Sequence, residues 1–495
     1  MAGWCIRPPK GERRQPLANI KHNLAYSALL TMSTYLVPLI LFPYISRVLG
    51  IDNIGRIDTI DNLMDYCILF SMMGLTSVGI REIAKNKDNP ETLGQTFTDL
   101  FALNLCSTLL IAVVFALAVW MSPRLQDYGM LLPIGLCKLI ANLFWIEWLY
   151  TGLEDFRYIT LRSLILRTLF VISAFLLVRT QTDTAAYYAL FVGITVGNAV
   201  CNWFHKRTFL HWNLRHAHLR RFLVPFVMLG LFSMLSAFYT KLSLPVLSFI
   251  TDDHEAGSYA TATRVFQVII ALVSALTGVM IPRMSVLMKE GQFDQVRAYA
   301  SASFRLLFWF AAPVICFAEI FAPDIIRLFA GSGFDDAILP MRIIMLQLII
   351  VGAEQIIVRQ LLIPYRSDSA IVRAGILGVA VWLVLTVALV PALHSIGTCL
   401  VWIAAELTVL IVATIETCRS LRVSFPFRLF LLSCLYTVPY VLLGLFTLWL
   451  TELMVPRLII AAILYIAYAL LLEHKAYRTG ILASIKREKG IKVKR

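Results

Sequence analysis

The chain has 495 residues, 59% of them hydrophobic and 15% charged, with a mean hydropathy of +0.77. Soluble domains average nearer 45–50% apolar and about 25% charged, so a soluble fold lacks the interior to hide this surface, whereas a bilayer takes it. The net charge of +14 lies in short loops and two tails, which points to membrane orientation and anionic lipid heads and away from nucleic acid.

In chain order, residues 1–19 are basic and lack the apolar core and small-residue cleavage site of a signal peptide. They read as a cytosolic tail. A span needs about 20 apolar residues, and about fourteen such runs follow: 24–43, 57–80, 97–120, 129–150, 159–179, 185–206, 222–249, 257–282, 300–322, 338–364, 370–391, 395–418, 427–450 and 453–472. The loops between them alternate in charge. The N-terminal tail (Arg7, Lys10, Arg13, Arg14, Lys21), 81–96, 205–221, 419–428 and the KREKGIKVKR tail are basic, while 249–258 carries Asp252, Asp253 and Glu255 without Lys or Arg. Basic loops stay in the cytosol, so both termini are expected there, which requires an even number of spans.

Most of the nine cysteines lie inside apolar runs and none forms a CxxC pair, so they read as packing residues. His205, His211, His216 and His218 share a basic loop with no carboxylate or Cys ligand and read as solvated, not as a metal site. No GxxxxGK[ST] run is present, so no P-loop site is expected. No other cofactor is implied. The outward loops are too short for a catalytic domain, which argues against an enzyme such as a membrane glycosyltransferase or polymerase.

The sequence matches itself at an offset of 202 residues: FPYIS (42–46) faces LPVLS (244–248), Gly55 faces Gly257, Thr59 faces Thr261 and Arg81 faces Arg283. Both copies begin on the same side. Parallel repeats place substrate between two lobes, here expected at 20–206 and 222–418, with an added pair of spans at 427–472 and a basic tail at 473–495. The expected fold is all-α and membrane-embedded.

Charges inside spans are costly and usually face a cavity or a partner. Arg264, Lys241, Asp61 and Asp65 fall at a common depth of about 8–13 Å, and Lys138 and Arg167 at about 12–13 Å. Asn62 is the repeat mate of Arg264. Lys241 and Arg264 suit pyrophosphate or anionic sugars, with Asn62 and Lys138 as further cavity residues. The bland alternative is a bridge from Arg264 to Asp61 or Asp65, which becomes a gate if substrate breaks it. Lys138 and Arg167 pair with Glu147 or Glu154 on an equally good reading. Asp58, Asp61 and Asp65 form one helical stripe; Asp58 reads as part of a solvated vestibule, and Asp61 and Asp65 as gating or coupling groups. Glu406, about 16 Å deep, is a candidate coupling carboxyl.

NLAYSALLTMSTYLVPLILFPYISRVLGIDNIGRIDTIDN (23–62) resembles the opening of Wzx-type oligosaccharide flippases. GIREIAK (79–85), WLYTGLEDFRYIT (148–160) and GSYATATRVFQVII...MIPRMS (257–285) extend the resemblance over about 20–420. The basic stretch before Ile20 departs from it. This family belongs with multidrug exporters and peptidoglycan-precursor flippases. The resemblance implies alternating access, with undecaprenyl-diphosphate-linked sugars as cargo and a bacterial inner membrane as location. It leaves open an H+ or Na+ gradient as driver and contact with glycan-assembly enzymes, and it suggests a monomer. An ion-coupled exporter of the same fold is the alternative; drug exporters favour acidic and aromatic linings, whereas Lys241 and Arg264 stand here.

Overall fold

The computed structural model describes residues 17–206, 222–223, 226–227, 230, 241–423 and 425–470. The tails and the His211, His216 and His218 loop lie outside the described residues. Among those described the chain is helical, with no strand. The first half holds α1 (Leu17–Leu49), α2 (Ile51–Met72), α3 (Leu75–Asn86), α4 (Pro90–Met121), α5 (Pro123–Gln126), α6 (Leu131–Trp145), α7 (Glu147–Gly152), α8 (Phe156–Leu177) and α9 (Thr184–Lys206). The second holds α10 (Lys241–Ile250), α11 (Asp253–Lys289), α12 (Phe293–Phe329), α13 (Ile338–Met345), α14 (Gln347–Gln355) and α15 (Asp368–Leu421). A last pair follows, α16 (Phe427–Leu450) and α17 (Met454–Tyr468).

Long apolar runs make these helices, and polar caps end them. Asn89 accepts from the backbone N–H of Glu91 at 3.0 Å with Pro90 at the first helical position, and Asp252 accepts from that of Glu255 at 2.9 Å. Gly50, at φ +79, lets one residue separate α1 from α2.

Nine helices among the described residues are long and apolar enough to cross a membrane, or up to eleven if each bent pair is one span. The expected span 57–80 is one such pair, bent by 45° between α2 and α3, and 338–364 is the other, bent by 41°. As one rod, the 54 residues of α15 would run about 81 Å, far beyond the roughly 30 Å hydrocarbon core. His394 breaks it at φ 50, ψ −125. Arg373 Nη2 then meets Glu416 Oε2 at 3.0 Å across 43 residues, so the two arms fold back as a hairpin. These are the expected spans 370–391 and 395–418.

The helix ends around Gly50, Asp127, Gln181, Thr251, Asp336 and His394 gather at one end of the molecule. There one buried cluster takes in Ile45, Leu49 and Ile54 of the first half with Leu247, Tyr259, Ile326 and Phe334 of the second. At the opposite end the core divides into two clusters: Leu75, Phe97, Leu149 and Ile159 of the first half pack with Phe222 and Phe226, and Met284, Val296, Leu361 and Leu421 pack within the second half. The halves thus share one large cluster at one end, whereas two smaller clusters stand apart at the other. The last helix pair is held to α12, where Arg457 Nη1 meets Asp324 Oδ2 at 3.0 Å.

Candidate functional site

The two halves meet where α2 packs against α11. A Cβ built on Gly55 would fall 1.8 Å from the carbonyl oxygen of Asp253, and one on Gly257 would fall 2.2 Å from that of Ile51. Only glycine allows backbones this close. One turn deeper, α2 presents Asp58, Asp61 and Asp65 along one stripe.

Each carboxylate meets a cation. Arg264 Nη2, on α11, donates to Asp58 Oδ1 at 2.5 Å. Lys138, on α6, donates to Asp61 at 2.6 Å and to Asp65 at 2.7 Å. Lys241, on α10, donates to the other oxygen of Asp65 at 2.6 Å. The Arg264 guanidinium also lies 4.4 Å from the Phe42 ring centroid, a cation–π contact. Three carboxylates and three cations leave this group formally neutral. Its pairs differ in kind. Lys138 ties α2 to α6 within the first half, whereas Arg264–Asp58 and Lys241–Asp65 join the two halves.

Burial grades the members. The Lys138 side chain is 9% exposed, that of Arg264 27% and that of Lys241 44%. Arg264 Nη1 and Asp58 Oδ2 have no hydrogen-bond partner among the described residues. Arg264 therefore keeps part of its donor fork uncommitted.

Several sequence expectations are corrected here. Arg264 bridges to Asp58, not to Asp61 or Asp65, because the glycine contact draws α11 onto the first turns of α2. Asp58 is 8% exposed, not part of a solvated vestibule, since α11 covers it. Lys138 pairs with Asp61 and Asp65 rather than Glu147 or Glu154, because α6 packs beside α2. Glu147 instead meets Arg162 at 3.2 Å and Glu154 meets Lys87 at 3.8 Å. Arg167 Nη1 bonds Ser33 and Thr34 of α1, at 2.5 and 2.9 Å. Asn62 Nδ2 donates to the carbonyl of Asp58, one turn back on its own helix, at 2.8 Å. Glu406 stands apart from the six charges: it is buried in the hairpin and accepts from Trp402 Nε1 at 3.1 Å. Nothing in the sequence marked Phe42 as a partner of Arg264, because the contact joins helices far apart in the chain.

The packed end carries its own network. Asp253 of α11 accepts from Tyr128 at 2.7 Å and from Arg124 at 3.5 Å, and lies 4.0 Å from Arg56. Arg47 Nη2 donates to the carbonyl of Leu328 at 2.7 Å. All four contacts cross between the halves.

A family model described as "Polysaccharide biosynthesis protein" matches residues 20–288. The chain belongs to this family. Two proteins that it resembles are named putative O-antigen transporter. The one from Escherichia coli (strain K12) is 23% identical over 334 residues, covering 66% of this chain and 79% of the relative. The one from Shigella dysenteriae is 22% identical over 290 residues, covering 57% and 71%. The fold is that of two groups of solved transporters. The lipid II flippase MurJ, in an inward closed conformation, superposes with a TM-score of 0.70 at 14% identity, over 92% of this chain and all of that one. An inward-facing multidrug resistance transporter of the MATE family superposes with a TM-score of 0.62 at 15% identity, over 81% and 98%. This member of the family is thus a multi-pass membrane protein with a transporter fold.

Proposed function

We propose that this chain flips an oligosaccharide carried on undecaprenyl diphosphate from the cytosolic to the outer leaflet of a bacterial inner membrane, for surface polysaccharide assembly. It would do so by alternating access between two lobes, 20–206 and 222–418. The relatives named O-antigen transporters and the flippase fold support the class of cargo. The loop charges support cytosolic termini, which makes the packed end the outer one.

One observation carries the mechanism: the two ion pairs of the six-charge group that join the halves, Arg264–Asp58 and Lys241–Asp65, each use a cation of the second half and a carboxylate of α2. A diphosphate offers the oxygens that both cations seek, and Arg grips it with two parallel donors. Binding would replace one anion by another on each cation, so neither cation is left bare in the membrane. The carboxylates of α2 would be released, and with them the ties between the halves. Cargo binding and lobe separation then share one set of contacts, which is the differential interaction that any ligand-driven change requires. Asn62 lies beside Asp58 on the same stripe. Lys138, already bonded to Asp65, would keep that carboxylate paired once Lys241 lets it go. Asp61, Asp65 and Glu406 are the groups proposed to bind a coupling H+ or Na+.

The test is translocation of a lipid-linked oligosaccharide in proteoliposomes, per amount of inserted protein. Arg264→Ala should abolish it, and Arg264→Lys should recover only part, since an ammonium lacks the two-pronged geometry. Arg264→Ala also strands Asp58, so the double variant Arg264→Ala, Asp58→Asn is measured beside it; it should insert normally and still fail to flip. Full activity in that double variant would overturn the reading. Export of small cations without any effect of the lipid-linked sugar would favour the ion-coupled exporter.

A further inference from the structure

At the packed end His254, the second residue of α11, sits between two carboxylates. Its Nδ1 is 2.8 Å from Asp52 Oδ1, on α2, and its Nε2 is 2.9 Å from Asp336 Oδ2, in the turn before α13. A neutral imidazole has one N–H and one lone pair. Both contacts are attractive only if both ring nitrogens carry hydrogen, or if one carboxyl does. Either way, the three groups hold one proton more than a neutral imidazole between two carboxylates. Asp52 belongs to the first half and His254 and Asp336 to the second, so that proton secures a bond across the junction. Asp52 and His254 are also 202 residues apart, the spacing of the internal repeat, and they meet at the α2–α11 contact beside Gly55 and Gly257.

We propose that His254, Asp52 and Asp336 form a proton-binding site whose occupancy holds this end of the molecule shut. The ligand is H+ from the medium on that side. The side chains are reachable, at 40% exposure for His254, 70% for Asp52 and 75% for Asp336. The neighbouring charges are committed elsewhere. On α11, Asp253 is held by Tyr128, Arg124 and Arg56, and Asp252 caps its helix. Glu255 accepts from the backbone of Ser395 at 3.0 Å and lies 3.6 Å from His394. Asp335 is held by Arg327 of α12 at 2.9 Å. None of these contacts requires the His254 proton, so those of Asp253, which cross between the halves, form a constant part of the closure and the triad a variable part. The site senses pH on one side and does not itself carry protons across. Acid on that side favours the closed end, and raising the pH through the imidazole range releases Asp52.

This proposal rests on the alternating-access reading, but its test reads conformation, not transport. Spin labels at Thr182 and Ser332, exposed on the two halves at this end, are placed in the full chain in nanodiscs, with the nine native cysteines replaced. The ratio of short to long label distances is measured between about pH 5.5 and about pH 8.5, which brackets the ordinary imidazole value. It should fall at least about threefold as the pH rises, with a midpoint at a histidine-like pH. His254→Gln should remove the response, and His254→Lys, charged throughout, should stay closed across the range. His394→Gln, the control for the neighbouring imidazole, should respond like the parent. An unchanged response in His254→Gln, or none in the parent, would overturn the proposal. Loss of flipping with the pH response intact would count against the flippase reading alone.

Discussion

Lys138 offers one ammonium to two carboxylates, Asp61 and Asp65, at 2.6 and 2.7 Å. Removing one member of a buried ion pair leaves an uncompensated charge and costs about 3–5 kcal/mol. Lys138→Met should therefore act on stability: less inserted protein and a lower melting midpoint in detergent, followed by intrinsic fluorescence. Adding Asp61→Leu should restore part of the loss, because Asp65 keeps Lys241. If Lys138→Met melts like the parent chain yet fails to flip, Lys138 touches cargo and is not a tie within the first half. Arg264 is more exposed and has an uncommitted Nη1, so its loss should be read chiefly in transport. The charge swap Arg264→Asp with Asp58→Arg tests the bridge itself. It should restore insertion, because the pair is rebuilt, while leaving flipping impaired, because the cation has moved to the other half.

At the scale of elements, the contact of α2 with α11 decides how the packed end closes. A side chain at residue 55 or 257 would overlap backbone oxygen of the facing helix, and backbone cannot yield as a flexible side chain does. Overpacking of this kind typically costs about 1–3 kcal/mol, felt here by the closed end alone. Gly55→Leu should insert and yet shift the molecule toward separation at that end, seen as longer label distances between Thr182 and Ser332 and as reduced flipping. Unaltered distances would show that the helices do not rely on this approach. The offset of 202 residues already pairs Gly55 with Gly257 along the chain, because each copy needs a small residue where the two meet. The offset carries no information on which turn of α2 receives Arg264. Packing alone set that, and it selected Asp58.

For the whole molecule, the loop-charge pattern points to the packed end as the outer one, and thiol labelling checks it. A membrane-impermeant reagent applied from outside should reach a cysteine placed at Thr182 and miss one placed at His211. Labelling of the second from outside would reverse the orientation and, with it, the side whose pH His254 senses. The chain has no P-loop run, so flipping in proteoliposomes with this chain as sole protein should proceed without ATP and respond to an imposed proton or sodium gradient. A strict ATP requirement would contradict that.

Membrane insertion, the helical class and the positions of most spans follow from the sequence itself, because about 20 consecutive apolar residues have few other stable settings. The charged residues inside the spans were also legible one by one, since a charge within an apolar run is costly and stands out; His254, Asp52 and Asp336, outside the expected spans, were not. The pairing of these charges was not legible either. Arg264 with Asp58, Lys138 with Asp61 and Asp65, and His254 between Asp52 and Asp336 join positions from 73 to 206 residues apart. A turn of helix either way changes the partner, and only the packing of α2 against α6, α10 and α11 fixes that turn. Hydropathy along the chain determines what enters the bilayer; the contacts between helices decide which charge meets which.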